Sequence, residues 1–240
     1  ETFVRFGMDW KKESLRFFMT GFLTGFFVLV LIAVLGLLTG HARWAYHYLD
    51  AWEWTEKLAL CLGSALLIGA LEEFFFRGFI FTNIRDRFRW SVLASMIATS
   101  VFYSSLHFVS AKKPFVGPDP VFWDSLRLMA APLKSFLNFP DFWPSALGLF
   151  LFGMILNDTA VRTKSLYPAI GLHSGCVLFI KLDGIFLHAL DKDIFFWGSK
   201  KVYDGVIGWV FLIVIWILLR KILKAQPDQT SKAASLTEGV

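Results

Sequence analysis

Long apolar stretches separated by short polar or aromatic segments run through most of the chain. Apolar runs of about 20 residues are long enough to cross a bilayer as α-helices. Stretches of this kind lie at residues 18–39, 58–81, 90–109, 144–160, 166–187 and 206–219. The pattern therefore predicts an all-α fold, a polytopic membrane helix bundle of about six transmembrane helices.

The first stretch, 18–39, has a basic and aromatic lead-in that fits either a membrane helix or a secretory signal peptide. It is longer than the apolar region of most signal peptides, and no small-x-small cleavage site follows in the residues from His41 to Trp44. We therefore interpret it as a membrane helix. Because the chain begins with Glu1 instead of methionine, we expect further residues upstream.

Two of the connecting segments have a distinctive composition. Residues 40–57 are rich in Trp and Tyr, as at a membrane interface, and His41 and His47 within them are predicted to be solvated. The longest connection contains several prolines, and its part 123–139 mixes apolar with basic residues. This part is predicted to be an interfacial helix that is interrupted at Pro132.

No internal repeat and no second domain can be found along the chain. Residues 1–224 are predicted to form one transmembrane domain, and residues 225–240 have too little apolar content to fold and are predicted to be a disordered cytoplasmic tail. Cys61 and Cys176 both fall within apolar stretches. A disulfide framework is therefore not expected, and the sequence has no Cys-rich metal motif.

Composition agrees with a membrane protein and changes how the charge is interpreted. Of the 240 residues, 56% are hydrophobic, which is too apolar for a soluble domain of this length. The net charge of +5 would suit nucleic acid, but the basic residues form short clusters beside the apolar stretches. Such clusters follow membrane topology. They predict a multi-pass protein of a bacterial-type inner membrane, with both termini inside and no nucleic-acid partner, although residues 110–143 put basic residues on the outer side.

The most unusual polar residues lie inside the second stretch, at 71–78. Two carboxylates and a guanidinium within a membrane helix are costly, so they indicate a functional site. Glu73 and Arg77 are four residues apart and share a helix face, where they can form an ion pair. Glu72 is rotated away from that pair and is left without a partner, which suits a general base.

Two histidines in other apolar stretches complete a candidate site with Glu72. His107 is 35 residues beyond Glu72, so two antiparallel helices joined by a turn near residues 87–89 would bring both to a similar depth. His173 lies much closer to the basic residues of its own turn, and its depth fits only if the helices are tilted or unequal, or if a turn enters the membrane. One carboxylate and two imidazoles can activate a water molecule and stabilise an oxyanion.

The same residues leave two other chemistries open. Two histidines and one glutamate could also bind zinc and leave a water position free. The zinc-protease pattern His-Glu-x-x-His is absent, however, so we expect no metal and no other cofactor. A serine nucleophile drawn from Ser104, Ser105 or Ser174 is a further alternative, although membrane serines commonly hydrogen-bond between helices.

Three segments together resemble the CPBP family (also called Abi), intramembrane endopeptidases related to the type II CAAX prenyl protease. Residues 71–78 are similar to its Glu-Glu-x-x-x-Arg motif, residues 102–107 to its Phe-x-x-x-His helix, and residues 162–173 to its third motif. The order and spacing of the motifs also agree. The resemblance extends over residues 58–187, the expected core of the domain.

The resemblance implies a role for each candidate residue. Glu72 would be the general base for a water also held by His107, and His173 would help to stabilise the oxyanion. Supporting residues would be Glu73, Arg77 and Asn157. Two positions depart from the family pattern: Tyr103 stands where the family has Phe, and Val177 where it usually has Asn or another polar residue. Asn157, Ser174 or a backbone N–H could supply the missing polar group.

The expected function is hydrolysis of a peptide bond in a membrane-associated protein or peptide, by direct water attack without an acyl-enzyme. The alternative is a non-catalytic binding or immunity protein of the membrane that keeps the scaffold, and Val177 favours it. A proton-coupled transporter is a third possibility. It would require broken, paired helices, which the sequence does not show.

Overall fold

The computed structural model describes residues 7–45, 47, 50–108, 121–126, 139–190, 192–199 and 203–224. The helices are α1 (Ser14–Leu38), α2 (Ala51–Glu73), α3 (Thr82–Arg87), α4 (Val92–Leu106), α5 (Phe139–Thr163), α6 (Tyr167–Phe186), α7 (Ile194–Trp197) and α8 (Val206–Ile222). A π-helical segment, Phe74–Phe81, joins α2 to α3 without a break. Two short strands, β1 (Ala42–Trp44) and β2 (Leu187–Ala189), pair antiparallel, with Arg43 opposite His188.

The predicted all-α membrane bundle is confirmed. Among the described residues, four helices are long and apolar enough to cross a membrane: α1, the continuous run Ala51–Arg87, α5 from Phe142 onward, and α6. Helix α4 is shorter but apolar, and the 17 residues of α8 are apolar as well. The predicted interfacial helix at 123–139 lies mostly outside the described residues, as does the tail at 225–240.

The second helix begins well before the predicted residue 58. Asp50 caps α2 with a capping box, in which its Oδ1 accepts from the Glu53 N–H at 2.8 Å and Glu53 Oε2 accepts from the Asp50 N–H at 3.0 Å. Reciprocal capping of this kind satisfies two backbone donors and fixes where a helix begins. The Trp-rich segment assigned to a loop is therefore partly helix, and the helix that carries Glu72 is longer than expected.

His41 is another position where the structure differs from the prediction of a solvated side chain. Its ring stacks on Trp197 at 4.3 Å between ring centroids, and only 19% of the side chain is exposed. His47 is exposed, as predicted, and its Nε2 lies 2.8 Å from the Ile185 carbonyl.

Helices α1 and α6 are in close contact along a seam of glycines. Gly21 and Gly25 of α1 face the backbone of α6, and Gly171 and Gly175 of α6 face the backbone of α1. A Cβ at Gly25 would lie 2.7 Å from the Leu172 carbonyl oxygen. Small residues four apart let membrane helices approach this closely. The seam fixes the position of α6, the helix that carries His173.

We expect Gly25→Ala to lower the free energy of unfolding by about 1–3 kcal/mol, because the added methyl overpacks a contact made by backbone atoms. Thermal unfolding in detergent measures the effect. Gly63→Ala is the matched control, since a Cβ at Gly63 meets nothing within 4 Å and alanine favours the helix. Equal unfolding temperatures for the two variants would contradict the prediction.

Helix α5 forms side-chain hydrogen bonds with both α4 and α8. Its Asn157 amide donates to the Met96 carbonyl at 3.3 Å and to Ser100 Oγ at 3.0 Å, both on α4. Its Asp158 accepts from Arg220 Nε at 2.8 Å and from Trp216 Nε1 at 2.7 Å, both on α8. Buried polar side chains need hydrogen-bond partners. Asn157 therefore holds α4 against α5, and Asp158 holds α8 against α5.

Candidate active site

Glu72, His107 and His173 come together from three different helices. Glu72 Oε2 lies 3.9 Å from His107 Nε2 and 3.9 Å from His173 Nε2. Both separations are too long for a direct hydrogen bond and have the length at which a water molecule bridges two polar groups. Glu72 Oε2 is buried and has no hydrogen-bond partner among the described residues. The three atoms therefore surround a point where one small polar molecule can be held.

In each histidine, the hydrogen bond at Nδ1 fixes the orientation of the ring relative to Glu72. His107 Nδ1 lies 2.9 Å from the Tyr103 carbonyl, one turn earlier in α4. His173 Nδ1 lies 2.8 Å from Glu73 Oε1. Since a carbonyl and a carboxylate only accept, both Nδ1 atoms carry a proton and donate it. Nε2 of each ring is thereby the atom that faces Glu72, where a neutral ring accepts a proton and a protonated ring donates one.

The predicted ion pair between Glu73 and Arg77 is present and fully buried. Glu73 Oε1 and Arg77 Nη1 are 3.0 Å apart, and both side chains are 0% exposed. Arg77 Nη2 also donates to the Gly153 carbonyl of α5 at 3.2 Å. Glu73 Oε1 thus accepts from both Arg77 and His173. Through its second terminal nitrogen, Arg77 connects this hydrogen-bond network to α5.

The two adjacent glutamates point in different directions, because successive residues of a helix are rotated by about 100°, and the helix widens directly after them. Glu73 ends α2, and the π-helical segment begins at Phe74. Widened turns of this kind occur often at functional sites. Thr82 Oγ1 donates to the Arg77 carbonyl at 3.2 Å, which satisfies a backbone group in the widened region. Immediately before this segment, Glu73 is buried and the side chain of Glu72 is 32% exposed.

A cavity of about 290 Å³ opens beside the two imidazoles. His107, His173, Tyr103 and Val177 line it, together with Cys176, Tyr203 and apolar residues from α1, α5, α6 and α8. Val177 is one helical turn beyond His173, so this part of the wall offers no polar side chain. The cavity therefore suits an apolar group that ends at the histidines.

The candidates to replace a polar side chain at Val177 lie elsewhere. The Asn157 amide is engaged with α4, and its Oδ1 is buried with no partner among the described residues. Ser174 packs against Gly69 of α2. Neither residue lines the cavity.

The serine alternative gains no support from these positions. Ser104 Oγ donates to the Ala146 carbonyl at 2.8 Å, and the cavity lining includes none of Ser104, Ser105 and Ser174. Within the described residues, no group of three or more His, Cys, Asp or Glu side chains is arranged to hold a metal ion. That the reaction needs no metal stays a prediction.

Tyr103, which the sequence marked only as a departure from the family pattern, lies next to both histidines. Its ring lies 4.5 Å from the His107 ring and 6.2 Å from the His173 ring, between centroids. The Arg77 guanidinium stands 4.7 Å above its ring centroid. A tyrosine in an apolar helix looks like ordinary packing, and its contacts with groups from two other helical segments become visible only in three dimensions.

Comparison with known protein families gave a match. A family model described as type II CAAX prenyl endopeptidase Rce1-like matches residues 53–179, more than half of the 240-residue chain. No curated protein and no solved structure matches significantly. The matched range contains all three motifs, and the family resemblance predicted from them is thereby confirmed.

Proposed function

Because this chain belongs to the Rce1-like family of type II CAAX prenyl endopeptidases, and is therefore an intramembrane endopeptidase, we propose that Glu72 and the two histidines activate water for peptide hydrolysis. The observation that carries the proposal is the equal spacing of 3.9 Å from Glu72 Oε2 to the Nε2 atoms of His107 and His173. A water at that point touches a base and two groups that can hold or transfer a proton.

The reaction proceeds by direct attack of that water. Glu72 takes a proton from the water as its oxygen bonds to the carbonyl carbon, and the carbonyl oxygen becomes an oxyanion. His107 holds the water, and His173, when protonated, donates from Nε2 to the oxyanion. The C–N bond then breaks, and the proton on Glu72 passes to the leaving nitrogen. One carboxylate and one amine leave, and no bond to the protein forms.

Glu73 and Arg77 act as positioning residues in this scheme. Glu73 accepts from His173 Nδ1, which turns Nε2 towards the reaction and stabilises the imidazolium. Arg77 neutralises Glu73, so that this carboxylate is not an unpaired charge in an apolar interior. Glu72 is then the carboxylate that remains for the water.

The substrate we propose is a protein or peptide held at the membrane, with an apolar part in the cavity beside His107 and His173. The apolar walls of this cavity support it, and so does the family description, which names a prenyl endopeptidase. We further propose that both termini lie inside a bacterial-type inner membrane. The exposed arginines at the end of α3 and just after it (Arg85, Arg87 and Arg89) and the basic end of α8, Arg220 and Lys221, support this orientation.

The test of direct water attack uses the purified protein in liposomes with a lipid-anchored peptide in H₂¹⁸O. We expect one ¹⁸O in the new carboxylate and no hydroxamate when hydroxylamine is added, because there is no acyl-enzyme to intercept. Mass spectrometry of the products measures both. A hydroxamate at the cleavage site would contradict the mechanism and favour a covalent nucleophile.

A binding or immunity protein that keeps this scaffold is the second candidate function. Val177 favours it, because an apolar side chain lines the cavity one turn beyond His173. Under this alternative, a membrane peptide would bind and dissociate uncleaved, and Glu72→Gln would leave the function intact.

A further inference from the structure

Direct water attack requires a hydrogen-bond donor at the position where the oxyanion develops. The His107 Nε2 and His173 Nε2 atoms both face Glu72, and water activation occupies at least one of them. The wall at Val177 has no donor. In the proposed mechanism His173 supplies one donor, and a second one, which the wall at Val177 lacks, would have to come from another residue that lines the cavity.

Tyr103 provides a hydroxyl in the right surroundings. The residue is 1% exposed, lines the cavity together with both histidines, and its hydroxyl forms no hydrogen bond with any described residue. A phenolic hydroxyl can both donate and accept, so one that is not engaged by the protein can donate to a ligand. A ligand oxygen in the cavity would provide the missing partner.

The ring of Tyr103 is held firmly enough to place its hydroxyl. Arg77 stands over the ring, and the Phe76 ring meets it edge-on at 5.0 Å between centroids. The Tyr103 carbonyl also fixes the orientation of His107. A donor that is already in place costs little reorganisation during the reaction, which is what makes such donors effective.

We propose that the Tyr103 hydroxyl donates a hydrogen bond to the oxyanion and so takes the role that Val177 cannot fill. The inference rests on the proposed function, since it requires the tetrahedral intermediate of water attack. Tyr103 is then a catalytic residue, and its ring also organises Arg77 and His107.

The test is Tyr103→Phe, which removes the hydroxyl and keeps the ring. We expect kcat to fall by about 10²–10³-fold, the usual loss of one oxyanion donor, with KM nearly unchanged. The unfolding temperature should stay the same. Tyr167→Phe is the matched control, because the Tyr167 hydroxyl donates to the Met8 carbonyl at 3.2 Å, away from the cavity lining.

A double variant tests the position of the donor. In Tyr103→Phe with Val177→Asn, an amide N–H returns to the cavity from the α6 wall. We expect at least about tenfold recovery of kcat over Tyr103→Phe alone, a modest share of what one donor contributes. A double variant no more active than the single one would overturn the inference, as would loss of activity accompanied by a lowered unfolding temperature.

The outcomes separate this inference from the function on which it rests. If Tyr103→Phe has wild-type kcat while Glu72→Gln is inactive, the hydrolase proposal stands and the Tyr103 inference fails. If the wild-type protein shows no Glu72-dependent cleavage, both fail.

Discussion

Glu72→Gln is expected to lower kcat by about 10⁴-fold, at the upper end of what a general base contributes. The amide has the size and shape of the carboxylate but cannot take a proton from water. Glu72 Oε2 also lacks a hydrogen-bond partner among the described residues, so the substitution breaks no hydrogen bond at that oxygen. We therefore expect substrate binding and thermal stability close to those of the wild-type protein.

The measurement is cleavage of a lipid-anchored peptide in proteoliposomes, with binding and unfolding temperature recorded on the same preparation. Glu56→Gln provides the control, because Glu56 is an exposed residue of the same helix. If Glu72→Gln cleaved at the wild-type rate, water activation by this carboxylate would be wrong. If the wild-type protein and Glu72→Gln both bound the peptide and neither cleaved it, the binding or immunity alternative would be favoured.

Arg77→Met is expected to lower the free energy of unfolding by about 3–5 kcal/mol, because removing one member of a buried ion pair leaves the other charge uncompensated. Glu73 would remain fully buried with its negative charge, and the bond from Arg77 to the Gly153 carbonyl of α5 would also be lost. Activity should fall as well, since Glu73 orients His173.

Two further variants test whether buried charge is the cause. Glu73→Gln together with Arg77→Met removes both charges and keeps an oxygen for His173 Nδ1, so we expect most of the stability to return. Arg85→Met, at an arginine that is 42% exposed beside Asp86, should change stability by less than about 1 kcal/mol. Thermal unfolding in detergent measures all three. An Arg77→Met variant as stable as Arg85→Met would refute the argument.

The candidate site could be predicted largely because charge inside an apolar helix is conspicuous. Glu73 and Arg77 at a spacing of four predicted their own pairing, and Glu72 was singled out by the absence of such a partner. The sequence could not show that Glu73 also binds His173. That contact joins residues 100 apart, and no local spacing encodes it.

The depth of His173 was the difficulty that the sequence raised and could not resolve. Along ideal helices, His173 lies about 14 Å from Lys164, whereas Glu72 lies about 22 Å from Arg87. Since the two side chains are 3.9 Å apart at Glu72 Oε2 and His173 Nε2, the turn at Lys164 must be closer to the site than the turn at Arg87. The helices that carry the two residues do differ in length, with 37 residues in the run Ala51–Arg87 and 20 in α6.

Other features were missed although the sequence contained a signal for them. The Asp50 and Glu53 spacing is that of a capping box, but the surrounding tryptophans indicated an interface loop. The glycines at 21, 25, 171 and 175 have the spacing of close helix contacts, which predicts the pairing of α1 with α6. The pairing of β1 with β2 had no comparable signal, because strands of three residues are too short for a period to show.

The glycine seam also limits which substitutions this sequence can accept during evolution. A flexible side chain can yield to a larger neighbour, but the carbonyls that face Gly21 and Gly175 belong to helix backbones and cannot be exchanged by mutation. No second substitution nearby can therefore restore a lost glycine. The outward face of α2 has no such restriction, so variation can accumulate there while the seam stays fixed.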